Sequence, residues 1–376
     1  MLISQKHLFT IDESIHYLNC AYMAPILKEA ELASQNAIKK QRNPHTFFPN
    51  DFFNTTSEIK YEFSKIIASH PQEIAIMPST SYGFASALNN IKSNRKKAIT
   101  IGNEFPSGYF ALQKWSTINQ NKLMVIKQDD LSPSEWNNKI IESIDENTSV
   151  VLLSSVHWMN GIKLNLKEIG EKCKKNGVFF IVDGTQSVGA IPINVKKLQI
   201  DVLICAAYKW LFGPYSMALG YFSEKFNNGS PIEESWMNRS NAKNFSSLTD
   251  YESNYMPSAN RYNVGQTSNF ILSPIMLSGL KQLNKWGIEN ISEYCNNLYS
   301  YLKELCESKD VKFGDSIDTS NHLFSLGFSK DVDSKKMKEK LEQNNIFVSL
   351  RGDYIRVSLN VFNEKKDIEK LAHVLS

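Results

Sequence analysis

Apolar runs of strand length alternate with amphipathic segments through the middle of the chain. Residues 150–156 (VVLLSSV) and 178–184 (VFFIVDG) predict buried strands, and residues 166–177 between them have the 3.6-residue period of a helix that ends at a glycine. Further apolar strands are predicted for residues 73–78, 201–208 and 216–222. Buried strands separated by helices predict a mainly parallel sheet that is covered by helices on both faces.

The rest of the sequence divides at a long polar stretch, residues 227–263, which is irregular and predicts a functional or disordered loop. Helical and strand patterns resume after it, at residues 272–287, 291–310, 322–329 and 354–362. We therefore expect a large domain over residues 20–262 and a smaller α+β domain over residues 263–376. The N-terminal segment 1–19 is expected to join the smaller domain.

Composition narrows the classes of partner. The 376 residues carry 42 Lys plus Arg against 39 Asp plus Glu, and this net charge of +3 is too balanced to predict a nucleic-acid partner. Asp12 and Glu13 stand where a signal peptide would be apolar, and no run of about 18 apolar residues predicts a membrane span. The five cysteines include no CxxC pair, so we expect neither disulfides nor a metal site, and a cytoplasmic protein.

Polar side chains come directly after several of the predicted strands. Asp183 closes one strand, Lys209 follows another, Ser79 to Ser81 begin a helix after a third, and Phe105 follows a fourth short run. Each has an ordinary interpretation as a helix cap, turn, core or surface residue. In a parallel sheet, however, ligands bind at the carboxyl ends of the strands. Together these residues supply a phosphate cradle, an aromatic ring, a carboxylate and an amine, which are the groups that hold pyridoxal phosphate.

The order of these motifs resembles that of a known family. PSTS, EFP, VDGTQSVGA, YKWLFGP, RYNVGQTSNF and YIRVSLNVFNEKKDIEKL succeed one another as in the class V aminotransferases, which are fold-type I pyridoxal phosphate enzymes. The resemblance runs from residue 16 to the C-terminus and is strongest to the isopenicillin-N-epimerase-like and kynureninase-like branches. It implies a large domain with a mainly parallel seven-stranded sheet, a smaller α+β domain, and a homodimer.

The resemblance also implies roles for the residues around the cofactor ring. Lys209 would form the Schiff base and move the proton at the substrate Cα, and Asp183 would pair with the pyridinium nitrogen. Gln186 would contact the ring phenolate oxygen, and Phe105 would stack on the ring. The cofactor phosphate and the substrate would be held by further residues. Thr80, Ser81 and Tyr208 would hold the cofactor phosphate, and Gln266 or Thr267 would reach it across a dimer interface.

Arg356 matches the arginine that grips the substrate α-carboxylate in this family, a task that suits a bidentate guanidinium. Trp158 stands where many members have an asparagine that contacts substrate or cofactor, and His157 beside it is a further candidate substrate contact. Other candidates for contact with a substrate side chain lie in or beside the long loop: Trp236, Arg239, Asn254 and Arg261.

The resemblance implies an enzyme that acts on a small amino acid, nominally an aminotransferase. A β- or γ-lyase, like kynureninase or a C–S lyase, and an amino-acid epimerase are the alternatives, and a non-catalytic relative is a weaker one. Cysteine desulfurase activity of the usual kind is disfavoured, because no cysteine follows Cys306 to supply the loop nucleophile. The motifs GxGxxG, GxSxG and HExxH are absent, which argues against nicotinamide-linked, α/β-hydrolase and zinc-protease chemistry.

Overall fold

A computed structural model describes residues 2–313, 318–329 and 332–375. Its strands are β1 (His16–Tyr17), β2 (Ile74–Met77), β3 (Lys97–Ile101), β4 (Lys122–Ile126), β5 (Thr148–Ser154), β6 (Phe179–Asp183), β7 (Val202–Ala206), β8 (Ala218–Phe222), β9 (Val311–Phe313), β10 (Leu323–Phe328), β11 (Ile346–Phe347), β12 (Ser349–Arg351) and β13 (Tyr354–Ser358). Its α-helices are α1 (Lys28–Gln41), α2 (Asp51–Ile66), α3 (Thr80–Asn89), α4 (Pro106–Ile118), α5 (Pro133–Glu142), α6 (Leu166–Asn176), α7 (Leu272–Trp286), α8 (Ile288–Cys306), α9 (Ser334–Gln343) and α10 (Lys365–Val374).

The largest sheet has seven strands in the order β2-β8-β7-β6-β5-β3-β4. Strand β8 pairs antiparallel with both of its neighbours, and the other six strands run in one direction. Strands β5 and β7 are buried along their whole length, as expected for strands that are covered on both faces. The predicted mainly parallel seven-stranded sheet is confirmed. The six parallel strands therefore end at one common edge.

Local sequence explains the helix that crosses between β5 and β6. The side chain of Asn165 accepts a hydrogen bond from the backbone N–H of Glu168 and so caps the start of α6. Gly177 ends it with φ +63°, a left-handed conformation that glycine adopts without strain. Leu166, Ile169 and other apolar residues at helical spacing face the core between these two ends. The predicted βαβ unit is therefore present.

The C-terminal region contains a four-stranded antiparallel sheet in the order β12-β13-β10-β9. Strand β1 of the N-terminal segment pairs in parallel with β11 of this region. Helix α7, however, packs against α1 and α2 beside the large sheet. The predicted domain boundaries, residues 20–262 for the large domain and 263–376 for the smaller one, thus stay a prediction. The assignment of residues 1–19 to the smaller domain stays one as well.

The N-terminal chain also links the large sheet to β13. The backbone N–H of Ala24 donates to the carbonyl oxygen of Tyr208, at 3.0 Å, and that of Ala21 donates to Oγ of Ser358, at 2.9 Å. This connection brings the carboxyl edge of the large sheet close to β13. No helix among the described residues is both long enough and apolar enough to span a membrane.

Candidate active site

A cavity of about 340 Å³ lies at the carboxyl edge of the large sheet. It is formed where β2, β3, β5, β6 and β7 end, which is where the sequence places its polar clusters. Most of the predicted site residues line this cavity: Thr80, Ser81, Phe105, Trp158, Asp183, Gln186, Tyr208 and Lys209. Packing thus brings into one cavity residues that are spread over more than a hundred positions of the chain.

Lys209 lies just beyond β7 and is only 6% exposed. Its Nζ is 5.8 Å from the centre of the Phe105 ring and 5.5 Å from that of Tyr208. Burial and, to a lesser degree, the nearby Arg356 guanidinium lower the pKa of the amine to about 8, and Asp183 opposes the shift. A substantial fraction of the amine is therefore neutral, and thus nucleophilic, near physiological pH.

Asp183 is the last residue of β6, and its carboxyl group is buried at the cavity wall. Oδ1 accepts a hydrogen bond of 2.9 Å from the backbone N–H of Thr185. Burial raises the pKa of this carboxyl, while the Thr185 hydrogen bonds and the Lys209 ammonium act in the opposite direction. A carboxyl in this position can exchange a proton with a basic nitrogen that is brought beside it.

Gln186 is held in one orientation from both ends of its amide. Nε1 of the Trp210 indole donates to its Oε1, at 2.9 Å, and its Nε2 donates to the carbonyl oxygen of Ala21, at 3.2 Å. The ring of the buried His322 places Nε2 2.7 Å from the backbone carbonyl oxygen of Gln186. The amide nitrogen has a second hydrogen for an acceptor in the cavity.

Two helices, α3 and α4, begin at the cavity. Ser79 caps α3 by accepting from the N–H of Tyr82, and Oγ of Ser81 donates to Oγ of Ser107 in the first turn of α4, at 2.9 Å. Both helices direct their free N–H groups and positive dipole ends toward this region. With the Thr80 hydroxyl nearby, the arrangement suits a phosphate group.

Arg356 is 1% exposed and approaches the site from β13. Nη1 donates to the carbonyl oxygen of Trp158, at 2.8 Å, but Nε and Nη2 have no hydrogen-bond partner among the described residues. Burial and, to a lesser degree, the neighbouring Arg351 lower the pKa of the guanidinium to about 9. Buried polar groups are nearly always paired, and these two nitrogens are suited to an anionic ligand.

Four predicted residues do not line the cavity: Arg356, which contacts it only through Trp158, and His157, Gln266 and Thr267. The ring of His157 turns away, with Nδ1 2.9 Å from Oδ1 of Asn160 and Nε2 3.2 Å from the carbonyl oxygen of Asn103. Gln266 is exposed and lines a separate surface cavity, and Thr267 donates its hydroxyl to the carbonyl of Val264. Their roles at the cofactor or substrate stay predictions, and for Gln266 and Thr267 they require a partner subunit.

Two of the arginines in or near the polar loop are engaged within that region. Arg239 forms an ion pair with Glu234, and Nη1 of Arg261 donates to the carbonyl oxygen of Gly229, at 2.9 Å. The proposed role of the loop residues in substrate selection stays untested.

Sequence reasoning missed Glu104, which precedes Phe105 in the EFP motif and is 6% exposed. Its carboxylate accepts from the N–H groups of Phe105 and Ser154, both at 2.6 Å, and from the Ser154 hydroxyl. Burial raises its pKa to about 7, with a smaller contribution from Asp183. The signal in the sequence was a charged residue three positions after an apolar strand, and such a residue can be either a surface turn residue or a buried anchor.

The residues present fit pyridoxal phosphate. The cavity offers a buried amine, a carboxyl, an aromatic ring and two helix starts, and Arg356 adds unpaired donors beside Trp158 in its wall. No single one of these features is specific for the cofactor. Their combination in one cavity matches its aldehyde, ring nitrogen, ring face and phosphate.

The sequence matches the Aminotransferase class-V family over residues 26–371. This chain belongs to that family. Pyridoxal phosphate is its cofactor.

Individual relatives are distant but cover most of the chain. The "uncharacterized aminotransferase YcbU" of Bacillus subtilis is 23% identical, over 83% of this chain and 81% of its own length. The kynureninase of Geobacillus thermodenitrificans is 24% identical, over 81% and 73%. The cystine C–S lyase C-DES, solved with its product cysteine persulfide, superposes with a TM-score of 0.87 at 17% identity, over 96% of this chain and 97% of its own. The fold-type I architecture is thereby confirmed.

Proposed function

We propose that this protein is a pyridoxal phosphate-dependent enzyme that acts on the Cα of an amino acid, with aminotransferase as the first candidate activity. The observation that carries the proposal is the buried amine of Lys209, which lines the same cavity as Asp183 and whose pKa is lowered by burial and by the nearby Arg356 guanidinium. When bound, the cofactor supplies an electron sink for negative charge at Cα.

Each residue then has a chemical task. The neutral amine of Lys209 would hold the cofactor through its carbonyl carbon, with loss of water, and would be free to accept or return the proton at the substrate Cα once the substrate amine has replaced it there. Asp183 holds a proton at the ring nitrogen. Gln186 donates to the ring oxygen, and Phe105 restricts movement of the ring. Arg356 binds the substrate carboxylate through the donors that lack a protein partner.

A lyase is the second candidate activity. The kynureninases among the curated relatives and the C–S lyase among the solved structures favour it, whereas YcbU favours transamination. The candidate activities share the removal of the Cα proton and differ in the later steps. A residue that returns the proton to Cα on the opposite face would instead make the protein an epimerase.

Desulfurase activity of the usual kind is not part of this proposal. It requires a cysteine thiolate on a loop near the substrate, and no cysteine follows Cys306. The thiol of Cys20 is coupled electrostatically to Lys209, but burial raises its pKa to about 12. Such a thiol stays protonated and is a poor nucleophile.

We also infer a homodimer, as the resemblance implies. Gln266 and Thr267 lie outside the cavity of their own chain and would contact the cofactor phosphate only from a partner subunit. Measurement of the molar mass in solution tests this point, and a monomeric protein that binds the cofactor fully would contradict it.

The test of the function is a visible spectrum of the protein loaded with pyridoxal phosphate, recorded during addition of amino acids without a keto-acid acceptor. Conversion of the lysine-linked band to the pyridoxamine form identifies transamination. Return of the original band with accumulation of a cleaved or inverted product identifies a lyase or an epimerase.

The matched variants are Lys209→Ala and Lys60→Met. Lys60 is also a buried lysine, with a pKa lowered to about 7, but it does not line the cavity. Loss of the band in the Lys209 variant and retention in the Lys60 variant is the expected result. A band that survives in Lys209→Ala would overturn the assignment.

A further inference from the structure

A second guanidinium lies beside the one that we assign to the substrate α-carboxylate. Arg351 ends β12, and Gly352, with φ +58°, allows the tight turn into β13. Ser349 pairs directly with Arg356 in this antiparallel hairpin, and Arg351 is two residues further along the same strand face. Arg351 and Arg356 are therefore diagonal neighbours on adjacent strands, and residues in this relationship lie ~7–8 Å apart. The hairpin therefore presents Arg351 and Arg356 on one face.

Both guanidiniums contact the same residue of the cavity wall. The carbonyl oxygen of Trp158 accepts a hydrogen bond from Arg356, and the guanidinium carbon of Arg351 is 5.5 Å from the centre of the Trp158 ring. Trp158 lines the cavity next to Phe105, with the two rings edge to face at 5.6 Å. The cation–π contact restrains Arg351 at this wall without neutralising its charge.

Neither guanidinium has an anionic partner in the part of the chain that the structure describes. Nη1 of Arg351 donates to the carbonyl of Leu350, at 2.8 Å, while its Nε is buried without a hydrogen bond. Nε and Nη2 of Arg356 are likewise buried without a hydrogen bond. Arg351 also acts on the other two cations, since its charge lowers the pKa of both Arg356 and Lys209.

The carboxyl group that lines the cavity, Asp183, and that of the buried Glu104, which precedes Phe105, both have other partners. Glu104 accepts hydrogen bonds from Phe105 and Ser154, and Asp183 accepts from Thr185 and is assigned to the cofactor ring nitrogen. One substrate α-carboxylate compensates one guanidinium. A positive charge and a buried donor at Arg351 are left over.

Building on the function proposed above, we propose that the substrate is an amino acid whose side chain carries a second acid group, as in the dicarboxylic amino acids. Arg356 binds the α-carboxylate and Arg351 binds the distal acid group. Both acid groups would meet guanidinium donors on one hairpin face, and Trp158, which lines the cavity, contacts both guanidiniums. This assignment pairs the charge that the protein leaves uncompensated.

The first experiment titrates the cofactor-loaded protein with two isosteric pairs, L-aspartate against L-asparagine and L-glutamate against L-glutamine, and follows the visible band. The acid of at least one pair is expected to reach half-saturation at an about tenfold lower concentration than its amide, because a charge-assisted hydrogen bond is lost in the amide. Equal or better response to both amides overturns the proposal.

Arg351→Gln is expected to abolish this preference by weakening the acids while leaving the amides within about twofold. Arg351→Lys should restore part of it, because a lysine keeps the charge but not the planar donor set. Arg42→Gln, at an exposed arginine after α1, is the matched control and should keep the wild-type preference. A preference that survives in Arg351→Gln removes Arg351 from the assignment.

A readout that needs no turnover completes the test. Glutarate should raise the unfolding temperature of the cofactor-loaded wild type more than its monoamide does, and this difference should vanish in Arg351→Gln. Equal shifts in the wild type overturn the proposal. Failure of the enzyme function is distinguishable, because in that case the Lys209-dependent visible band itself is missing.

Discussion

Trp210 donates a hydrogen bond from its indole nitrogen to Oε1 of Gln186, at 2.9 Å, and so determines which end of that amide faces the Ala21 carbonyl. Trp210 follows Lys209 directly in sequence, and its ring is 1% exposed. The residue after the lysine therefore acts as a positioning residue for the glutamine.

Trp210→Phe should allow the Gln186 amide to rotate. We expect cofactor affinity to fall about fivefold, the effect of a hydrogen bond worth ~1 kcal/mol, with a shift of the visible band. Trp286→Phe is the control, because Nε1 of Trp286 also donates to a glutamine, Gln5, at 3.0 Å, but away from the cavity. Equal spectra and affinities for the two variants would contradict the positioning role.

The lowered pKa of Lys209, about 8, predicts a pH dependence for cofactor loading. Only the neutral amine attacks a carbonyl carbon, so the association rate should rise as the pH increases through about 8. Arg356→Met removes a cation that disfavours the ammonium, which raises the pKa of Lys209 and moves the profile to higher pH. Stopped-flow absorbance measures both profiles, and an unmoved or lowered midpoint would refute the coupling.

Asp183→Asn should preserve the hydrogen bond from Thr185, since an amide oxygen can also accept it. The variant should still bind the cofactor, but exchange of the substrate Cα proton should slow by about 10²-fold, because a neutral amide cannot stabilise a protonated ring nitrogen. Deuterium exchange at Cα, followed by NMR, measures this rate. The control is Asp201→Asn, at another buried aspartate that accepts a backbone N–H, and it should exchange at the wild-type rate.

Glu104→Gln should lower the free energy of unfolding by ~1–3 kcal/mol, because three donors converge on the carboxylate and an amide can accept at only one end. Glu171→Gln, at an exposed residue of α6, should change it little. Chemical denaturation measures both values. A Glu104→Gln variant as stable as the wild type would show that the carboxylate contributes nothing to the fold.

The same variant has a pH signature. The pKa of Glu104 is raised from 4.5 to about 7 in the folded protein, so the folded state binds this proton more tightly than the unfolded state does. Its contribution to stability is therefore fully present below pH 4.5 and is lost as the pH rises through about 7. Glu104→Gln should flatten the stability profile between these two values, and an unchanged slope would contradict the shifted pKa.

Much of the fold was predictable because the signals are local. Strand and helix periods identified β5, α6, β6 and β7, and the glycine that ends α6 is the one that the sequence indicates. Parallel strands must end at one edge, so Asp183 and Lys209 were predictable as neighbours in space. The ordered motifs then pointed to the family.

What the sequence by itself determined is the central strands and the helix between β5 and β6, the mainly parallel sheet and the reactive groups expected at its edge. Only the tertiary structure decided that Arg351 and Arg356 share Trp158, that Glu104 is buried, and that His157 turns away from the cavity. Periodicity and helix capping are properties of neighbouring residues. Burial, counter-charges and side-chain direction depend on segments that meet only after the chain has packed, and no local pattern encodes them.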